Sequence, residues 1–193
     1  MTIGVLALQG AFRAHVAKLD ELGVRSQEVR QPGDLDGVTG LIIPGGESTT
    51  ISKLLEISEL FDPIASLLAD GLPVFGTCAG LILLADNIED GREDQRSFGR
   101  LDVDVQRNGY GTQIESFETA LDTTVTDESV HAVFIRAPRI SRVGSDVEVL
   151  AESEGEAVFV RQGSAMGAAF HPELSDDARI HQLFVETIAP RGA

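Results

Sequence analysis

The 193-residue chain has no tryptophan, one tyrosine and a single cysteine, Cys78. One cysteine excludes an intrachain disulfide, which fits a reducing, cytoplasmic location. No apolar run approaches the length that a membrane-spanning helix requires, and no basic segment precedes the apolar stretch at the N-terminus. The sequence therefore predicts neither a membrane protein nor a disulfide-stapled secreted domain.

Lysine is also scarce. Only Lys18 and Lys53 are lysines among 15 basic residues, and 31 acidic residues bring the net charge to −16. Such a surface repels nucleic acids and anionic membranes, so the composition predicts neither partner. The acidic residues are scattered along the chain, which we interpret as adaptation to a saline cytoplasm, where salt screens their repulsion. An ordinary acidic protein is the alternative interpretation.

The order of apolar segments indicates the fold class. IGVLAL (3–8), LIIP (41–44) and PVFG (73–76) are apolar runs typical of buried parallel strands, and segments with helical spacing separate them. From about residue 97, short alternating stretches predict antiparallel or mixed strands. We find no internal repeat and no linker. The sequence predicts an α/β fold with one domain over residues 1–193, an open, mixed, mostly parallel sheet with helices on both faces.

Cys78 lies where an apolar strand meets an apolar helix, in GTCAG (76–80). This is the pattern of a nucleophile elbow, in which a very tight turn requires small flanking residues. The turn presents the sulfur at the carboxyl edge of the sheet and at a helix N-terminus, where the helix dipole favours a thiolate. The N–H of Ala79 then faces a developing oxyanion. The alternative is a small buried cysteine beside a tight turn.

A cysteine nucleophile needs a base, usually a histidine that a third group holds. The chain has four histidines: His15, His131, His171 and His181. We predict that His15 and His181 are surface residues on helices and that His131 lies in a polar turn. His171 instead ends an apolar strand, and Glu173 follows two positions later. Side chains two apart on an extended backbone share a side, so Glu173 can hold the ring of His171.

Six segments in order carry a family resemblance: IGVLALQGAF, LIIPGGEST, PVFGTCAGLILLA, RNGYG, FIRAP and AFHPELSDD. Together they resemble the class I glutamine amidotransferases and, within them, the glutaminase subunits of pyridoxal 5′-phosphate synthase. The resemblance implies a flavodoxin-like fold and hydrolysis of L-glutamine to glutamate and ammonia. It also implies a barrel-shaped synthase subunit as partner in a large hetero-oligomer, with no metal and no cofactor.

The resemblance also implies roles for individual residues. Cys78 attacks the glutamine amide, His171 moves the proton and Glu173 orients His171. The backbone N–H groups of Gly46 and Ala79 form the oxyanion hole. The remaining implied positions are the substrate-binding residues Gly46, Glu47, Ser48, Arg107, Ile135 and Arg136, and Gln9 at the oxyanion site or partner interface. On the residues alone, PGGES (44–48) could be only a tight turn that Ser48 caps, and each arginine only a solvated charge.

Three positions depart from the family pattern: Gly109, Thr112 and Ser164. None of them is a member of the predicted triad. Two other functions remain as alternatives. One is a glutaminase for another synthase, such as the one that makes imidazole glycerol phosphate, although the ALQGAF and FIRAP segments argue against it. The other is a catalytically silent binding module on the same scaffold, which has no need to keep Cys78, His171 and Glu173.

The charge generates a prediction about salt. The Debye length grows from about 3 Å at 1 M salt to about 30 Å at 0.01 M, so repulsion among the carboxylates extends over the whole domain at low salt. We expect the Tm to rise by at least about 4 °C, equivalent to about 1 kcal/mol, between 0.05 M and 2 M potassium chloride. Differential scanning calorimetry measures this. An equal Tm in both solutions would contradict the saline interpretation.

Overall fold

The computed structural model describes residues 1–107 and 116–188. In these two ranges the strands, in chain order, are Ile3–Leu6 (β1), Ser26–Val29 (β2), Gly40–Ile43 (β3), Val74–Thr77 (β4), Ala85–Ile88 (β5), Leu101–Gln106 (β6), Phe117–Leu121 (β7), Val130–Phe134 (β8), Arg139–Val143 (β9), Glu148–Ser153 (β10), Glu156–Gln162 (β11) and Ala165–Ala168 (β12). The α-helices of the same ranges are Phe12–Glu21 (α1), Ser48–Ile57 (α2), Phe61–Ala69 (α3), Ala79–Leu84 (α4) and Arg179–Ile188 (α5). Short 3₁₀ turns span Pro32–Leu35 and Pro172–Leu174.

The central sheet has the strand order β10-β11-β12-β4-β3-β1-β2. The five strands from β12 to β2 are parallel, whereas β10 and β11 join the edge as an antiparallel pair. Two small sheets, β5-β6-β9 and β7-β8, lie outside it. The fold prediction of a mixed, mostly parallel sheet is confirmed.

Helices cover both faces of this sheet, as strand β4 shows. Phe75 packs against Phe184 of α5, with the ring centroids 5.7 Å apart. The next residue, Gly76, faces the backbone of α4 at Gly80. Because successive residues of a strand point to opposite faces, α5 and α4 lie on opposite sides of the sheet.

The second half of the chain gives one result that the sequence did not predict. Strand β12 lies in the region where antiparallel or mixed strands are predicted, and it pairs in parallel with β4, with Ala168 beside Thr77. The helix that follows, α5, starts at Arg179, whose N–H donates to the side chain of Asp177. Positions 109 and 112, where the chain departs from the family pattern, lie outside the described residues.

Glycines allow α4 to approach the sheet closely. A Cβ on Gly80 would overlap the carbonyl oxygen of Ile43 in β3, and one on Gly76 would overlap the backbone of α4. Gly167 of β12 faces the same helix through Leu81. The turn at residues 76–80 therefore requires small residues for packing as well as for its backbone path.

We therefore predict that Gly80→Ala lowers the free energy of unfolding by about 1–3 kcal/mol, because the new methyl meets backbone that cannot move aside. Urea denaturation followed by circular dichroism measures it. Gly33→Ala is the matched control, since a Cβ at Gly33 meets nothing within 4 Å. Equal stabilities for the two variants would show that the approach of α4 tolerates a side chain.

Candidate active site

Cys78 has the backbone of a nucleophile elbow. Its φ of 49° and ψ of −104° are rare for a residue with a side chain, and it directly precedes the first residue of α4, Ala79. Its N–H donates to the carbonyl of Ala168 over 2.8 Å, which ties the turn to β12. Strain of this kind persists only where the surrounding structure imposes it, and it concentrates at functional sites.

The pairing of β12 with β4 brings His171 to Cys78. The N–H of His171 donates to the carbonyl of Val133 over 2.8 Å, which fixes the chain just beyond β12. Nδ1 of the ring lies 2.8 Å from Oε1 of Glu173, in the 3₁₀ turn that follows. Both residues are buried, with 7% and 4% of their surfaces exposed. The predicted neighbourhood of Cys78, His171 and Glu173 is present in the structure.

The loop after β3 forms the other wall of the site. Gly45 is so close to the ring of His171 that a side chain there would overlap it. The N–H of Gly45 donates to Thr77 over 3.1 Å, and the N–H of Glu47 donates to Oε1 of Gln9 over 2.9 Å. Within the described residues, the N–H of Gly46 between them has no hydrogen-bond acceptor. Its donor is therefore available to a ligand.

These elements enclose a cleft of about 420 Å³. The cleft brings together nine of the residues that the sequence analysis selected: Gln9, Gly46, Glu47, Ser48, Cys78, Arg107, Ile135, Arg136 and His171. Ala79 and Glu173 lie behind this lining and are buried. Residues from widely separated parts of the chain thus meet in one place.

Glu47, rather than Ser48, is the cap of α2. Its carboxylate accepts hydrogen bonds from the N–H groups of Thr49 and Thr50. The same carboxylate forms an ion pair with Arg107 over 3.0 Å. The interpretation of PGGES as a turn capped by Ser48 is therefore wrong, because Ser48 is the first helical residue.

Arg136, another residue of the cleft lining, has a left-handed backbone with a φ of 44°. It lines the cleft together with Ile135, directly after the end of β8 at Phe134. Like Cys78, Arg136 combines an unfavourable backbone with a position in the cleft. The coincidence is typical of residues whose orientation matters for ligand binding.

Charges in the site favour an imidazolium at His171. Burial alone lowers the pKa of His171, but hydrogen bonding to Cys78 and Glu173, together with their negative charges, outweighs it and raises the pKa to about 10. Burial also acts on Glu173, raising its pKa, yet the neighbouring His15 and His171 leave that pKa below the ordinary value. The arrangement can hold a proton on His171 at neutral pH and keep Glu173 ionised.

The predicted surface positions of His15 and His181 are wrong, since both rings are completely buried. Nδ1 of His15 lies 2.9 Å from Nε2 of His181. Helical spacing could have shown this, because Leu19 lies four residues after His15 and Phe184 three after His181, and both are buried. The polar turn predicted at His131 is instead strand β8, where this exposed ring pairs with Glu118.

The class of protein follows from this geometry: an open α/β sheet presents a cysteine on an elbow beside a histidine–carboxylate pair, as acyl-transfer chemistry requires. Comparison with known proteins narrows the class. The profile of the SNO glutamine amidotransferase family matches residues 5–190, so the chain belongs to that family. Within the described residues, no helix is long and apolar enough to cross a bilayer, and no cluster of three histidine, cysteine or acidic side chains could hold a metal ion.

Individual relatives agree with the family. The chain is 55% identical to pyridoxal 5′-phosphate synthase subunit PdxT of Mycobacteroides abscessus, covering 96% of each chain. It is 53% identical to the PdxT of a Nocardioides species, covering 97% of this chain and 96% of that one. Among solved structures, one described as a glutamine amidotransferase has a TM-score of 0.92 and 46% identity, covering 97% of this chain and 99% of the other.

The raised pKa of His171 generates a prediction. In ¹⁵N NMR, we expect its ring to titrate near pH 10 and to titrate lower in Cys78→Ser, which removes the sulfur charge. The stability that this interaction contributes is complete below the ordinary histidine pKa of 6.5 and is lost as the pH rises through about 10. His131 in the same spectra is the internal control. A His171 titration near 6.5 in the parent chain would contradict the prediction.

Proposed function

We propose that this chain is the glutaminase subunit of a pyridoxal 5′-phosphate synthase, hydrolysing L-glutamine to L-glutamate and ammonia. The relatives at 53–55% identity that carry this name support the assignment. The observation that carries the chemistry is the meeting of a strained Cys78 with His171 in one cleft, with Glu173 bonded to His171 from behind. The partner synthase uses the ammonia.

The first step forms a thioester. The sulfur of Cys78, as thiolate, attacks the side-chain amide carbon of glutamine, and the carbonyl oxygen becomes an oxyanion. The N–H groups of Gly46 and Ala79 stabilise that charge. The imidazolium of His171 then gives its proton to the nitrogen as the carbon–nitrogen bond breaks and ammonia leaves. The high pKa of His171 suits this role, because the ring carries the proton before the substrate arrives.

The second step releases glutamate. His171, now neutral, removes a proton from water, and the resulting hydroxide attacks the thioester carbon. The same two N–H groups stabilise the second oxyanion. The carbon–sulfur bond then breaks and restores the thiolate of Cys78 and the imidazolium of His171. Glu173 holds the ring through Nδ1 in both steps and stabilises its positive charge.

The charged end of glutamine finds complementary charges in the cleft. The ion pair between Glu47 and Arg107 spans 3.0 Å where both side chains line the cleft. A zwitterionic amino acid can replace this contact with two others, from its ammonium group to Glu47 and from its carboxylate to the guanidinium of Arg107. Arg136 provides a second guanidinium, and Ile135 and Ser48 complete the walls around the substrate.

The partner that the resemblance implies is a barrel-shaped synthase subunit in a cytoplasmic hetero-oligomer. Leu174, at the rim of the cleft, leaves 46% of its surface exposed, and Gln9 lies in the same lining. An exposed apolar side chain beside the active-site mouth suits a surface that another protein covers. Docking there places the source of ammonia against the synthase.

Substitution of the triad tests the function. Cys78→Ala removes the nucleophile, so we expect kcat for glutamate release to fall at least about a thousandfold, with the synthase subunit present. His171→Asn has a similar effect, because triad members act as a unit, and Glu173→Gln is milder because Glu173 orients the ring without reacting. Glutamate release is measured with an enzyme-coupled assay, and His131→Asn is the matched control at an exposed histidine.

Two results would contradict the proposal. If Cys78→Ala keeps more than a few per cent of the activity, another group is the nucleophile. If the parent chain releases no glutamate with or without a pyridoxal 5′-phosphate synthase subunit, the chain is a silent module or serves another synthase. Size-exclusion chromatography of Cys78→Ala with the synthase separates loss of chemistry from loss of docking.

A further inference from the structure

Behind the His171–Glu173 pair lies a buried polar cluster to which the reaction above assigns no role. Its members are His15 of α1, Thr77 of β4 and His181 of α5, each fully buried. Nε2 of His15 lies 3.1 Å from the hydroxyl of Thr77, and its Nδ1 lies 2.9 Å from Nε2 of His181. Buried polar groups are costly unless their hydrogen bonds are satisfied, so this cluster requires an explanation.

The cluster reaches the catalytic pair through the second oxygen of Glu173. Oε1 of Glu173 accepts the Nδ1–H of His171. Oε2 is buried and, among the described residues, has no conventional hydrogen-bond donor, while Nε2 of His15 stands 3.5 Å from it. A carboxylate oxygen facing a ring nitrogen at this distance is stabilised only when that nitrogen carries hydrogen.

Hydrogen-bond accounting selects the same tautomer. If His15 donates through Nε2, its Nδ1 accepts from the Nε2–H of His181, and Nδ1 of His181 is left as an unprotonated nitrogen. That atom is buried without a partner in the described part of the chain. In the reverse tautomers the hydroxyl of Thr77 would donate to Nε2 of His15. They would also leave an N–H donor unpaired at Nδ1 of His181 and turn a lone pair of His15 toward Oε2 of Glu173, and orphaned buried N–H groups are rare.

We propose that His15 and His181 form a directional relay of neutral imidazoles, in which the Nε2–H of His181 donates to Nδ1 of His15. The Nε2–H of His15 is shared between the hydroxyl oxygen of Thr77 and Oε2 of Glu173. The relay makes His15 a positioning residue for the glutaminase reaction, and this part of the proposal rests on the proposed function. Thr77 holds the ring of His15 while accepting the N–H of Gly45, so one side chain connects the relay to the oxyanion loop.

Burial, together with nearby positive charge, keeps both rings neutral. Burial lowers the pKa of His15 most, the charge of Glu173 opposes this, and His171 lowers it further. The pKa of His181 lies well below its ordinary value because of burial, His15 and Lys18. Lys18, also buried on α1, is paired with Glu21 over 3.0 Å. A neutral donor at His15 stabilises the carboxylate of Glu173 without competing with His171 for the positive charge.

The parent chain provides the first test, which needs no variant and no activity. The ring ¹⁵N shifts at pH 7 distinguish the two neutral tautomers and the imidazolium, and only four histidines require assignment. We expect His15 and His181 both to be neutral and protonated at Nε2. A proton on Nδ1 of His15, or an imidazolium there, would overturn the proposal, and this result stands whether or not any variant folds.

A pair of variants tests the effect on Glu173. His15→Leu removes the donor, so we expect the pKa of Glu173 to rise by at least about one unit in ¹³C NMR. The acid limb of the pH profile of kcat should likewise move to higher pH, while KM stays unchanged. His15→Gln keeps an N–H at the end of the side chain and should restore both values toward the parent. His131→Gln is the control at a histidine outside the cluster.

An unchanged pKa of Glu173 in folded His15→Leu would overturn the relay. So would equal pKa values of Glu173 in the Leu and Gln variants, because the N–H is the difference between them that the proposal invokes. These NMR results do not depend on glutamine turnover. A chain that lacks glutaminase activity but shows the expected tautomers and pKa change would contradict the proposed function and leave the relay in place.

Discussion

The parallel pairing of β12 with β4 is the interaction on which the candidate site depends. It places Ala168 beside Thr77, so the chain leaves both strands at the same edge of the sheet, one strand leading into Cys78 and the other toward His171. The hydrogen bond from the N–H of Cys78 to the carbonyl of Ala168 continues the pairing into the elbow. Two segments about 90 residues apart thus acquire a fixed separation from backbone hydrogen bonds, before any side chain contributes.

Helix α4 packs very close to the two paired strands. Glycines at positions 76, 80 and 167 allow α4 to lie against β4 and β12, and Gly45 leaves room for the ring of His171. Each glycine is explained by a neighbour that a Cβ would overlap. The backbone is accordingly closely packed where the sulfur and the imidazole meet, and the longer polar side chains of Glu47 and Arg107 lie on the wall of the cleft.

Sequence reasoning located the elements that local pattern governs. The apolar runs gave β1, β3 and β4, and the glycines around Cys78 gave the elbow, because a tight strand-to-helix turn permits few residues. It did not predict that β12 pairs in parallel with β4, since a four-residue apolar strand is compatible with either direction. It also misplaced His15 and His181. Because histidine is polar, both rings were predicted at the surface. The helical spacing of His15 to Leu19 and of His181 to Phe184 instead indicates the interior, where both rings lie. The cap at Glu47 was missed because serine is the more usual residue there.

The single thiol has a chemical consequence of its own. Cys78 is 7% exposed, and the chain contains no other sulfhydryl group. Peroxide that reaches the sulfur would convert it to a sulfenic acid, which in many proteins is rescued when a neighbouring cysteine condenses with it. This chain offers no such resolving partner. Recovery from oxidation therefore depends on a small reductant that fits the same cleft as the substrate. Any ligand that fills the cleft shields the sulfur from the peroxide and from the reductant alike.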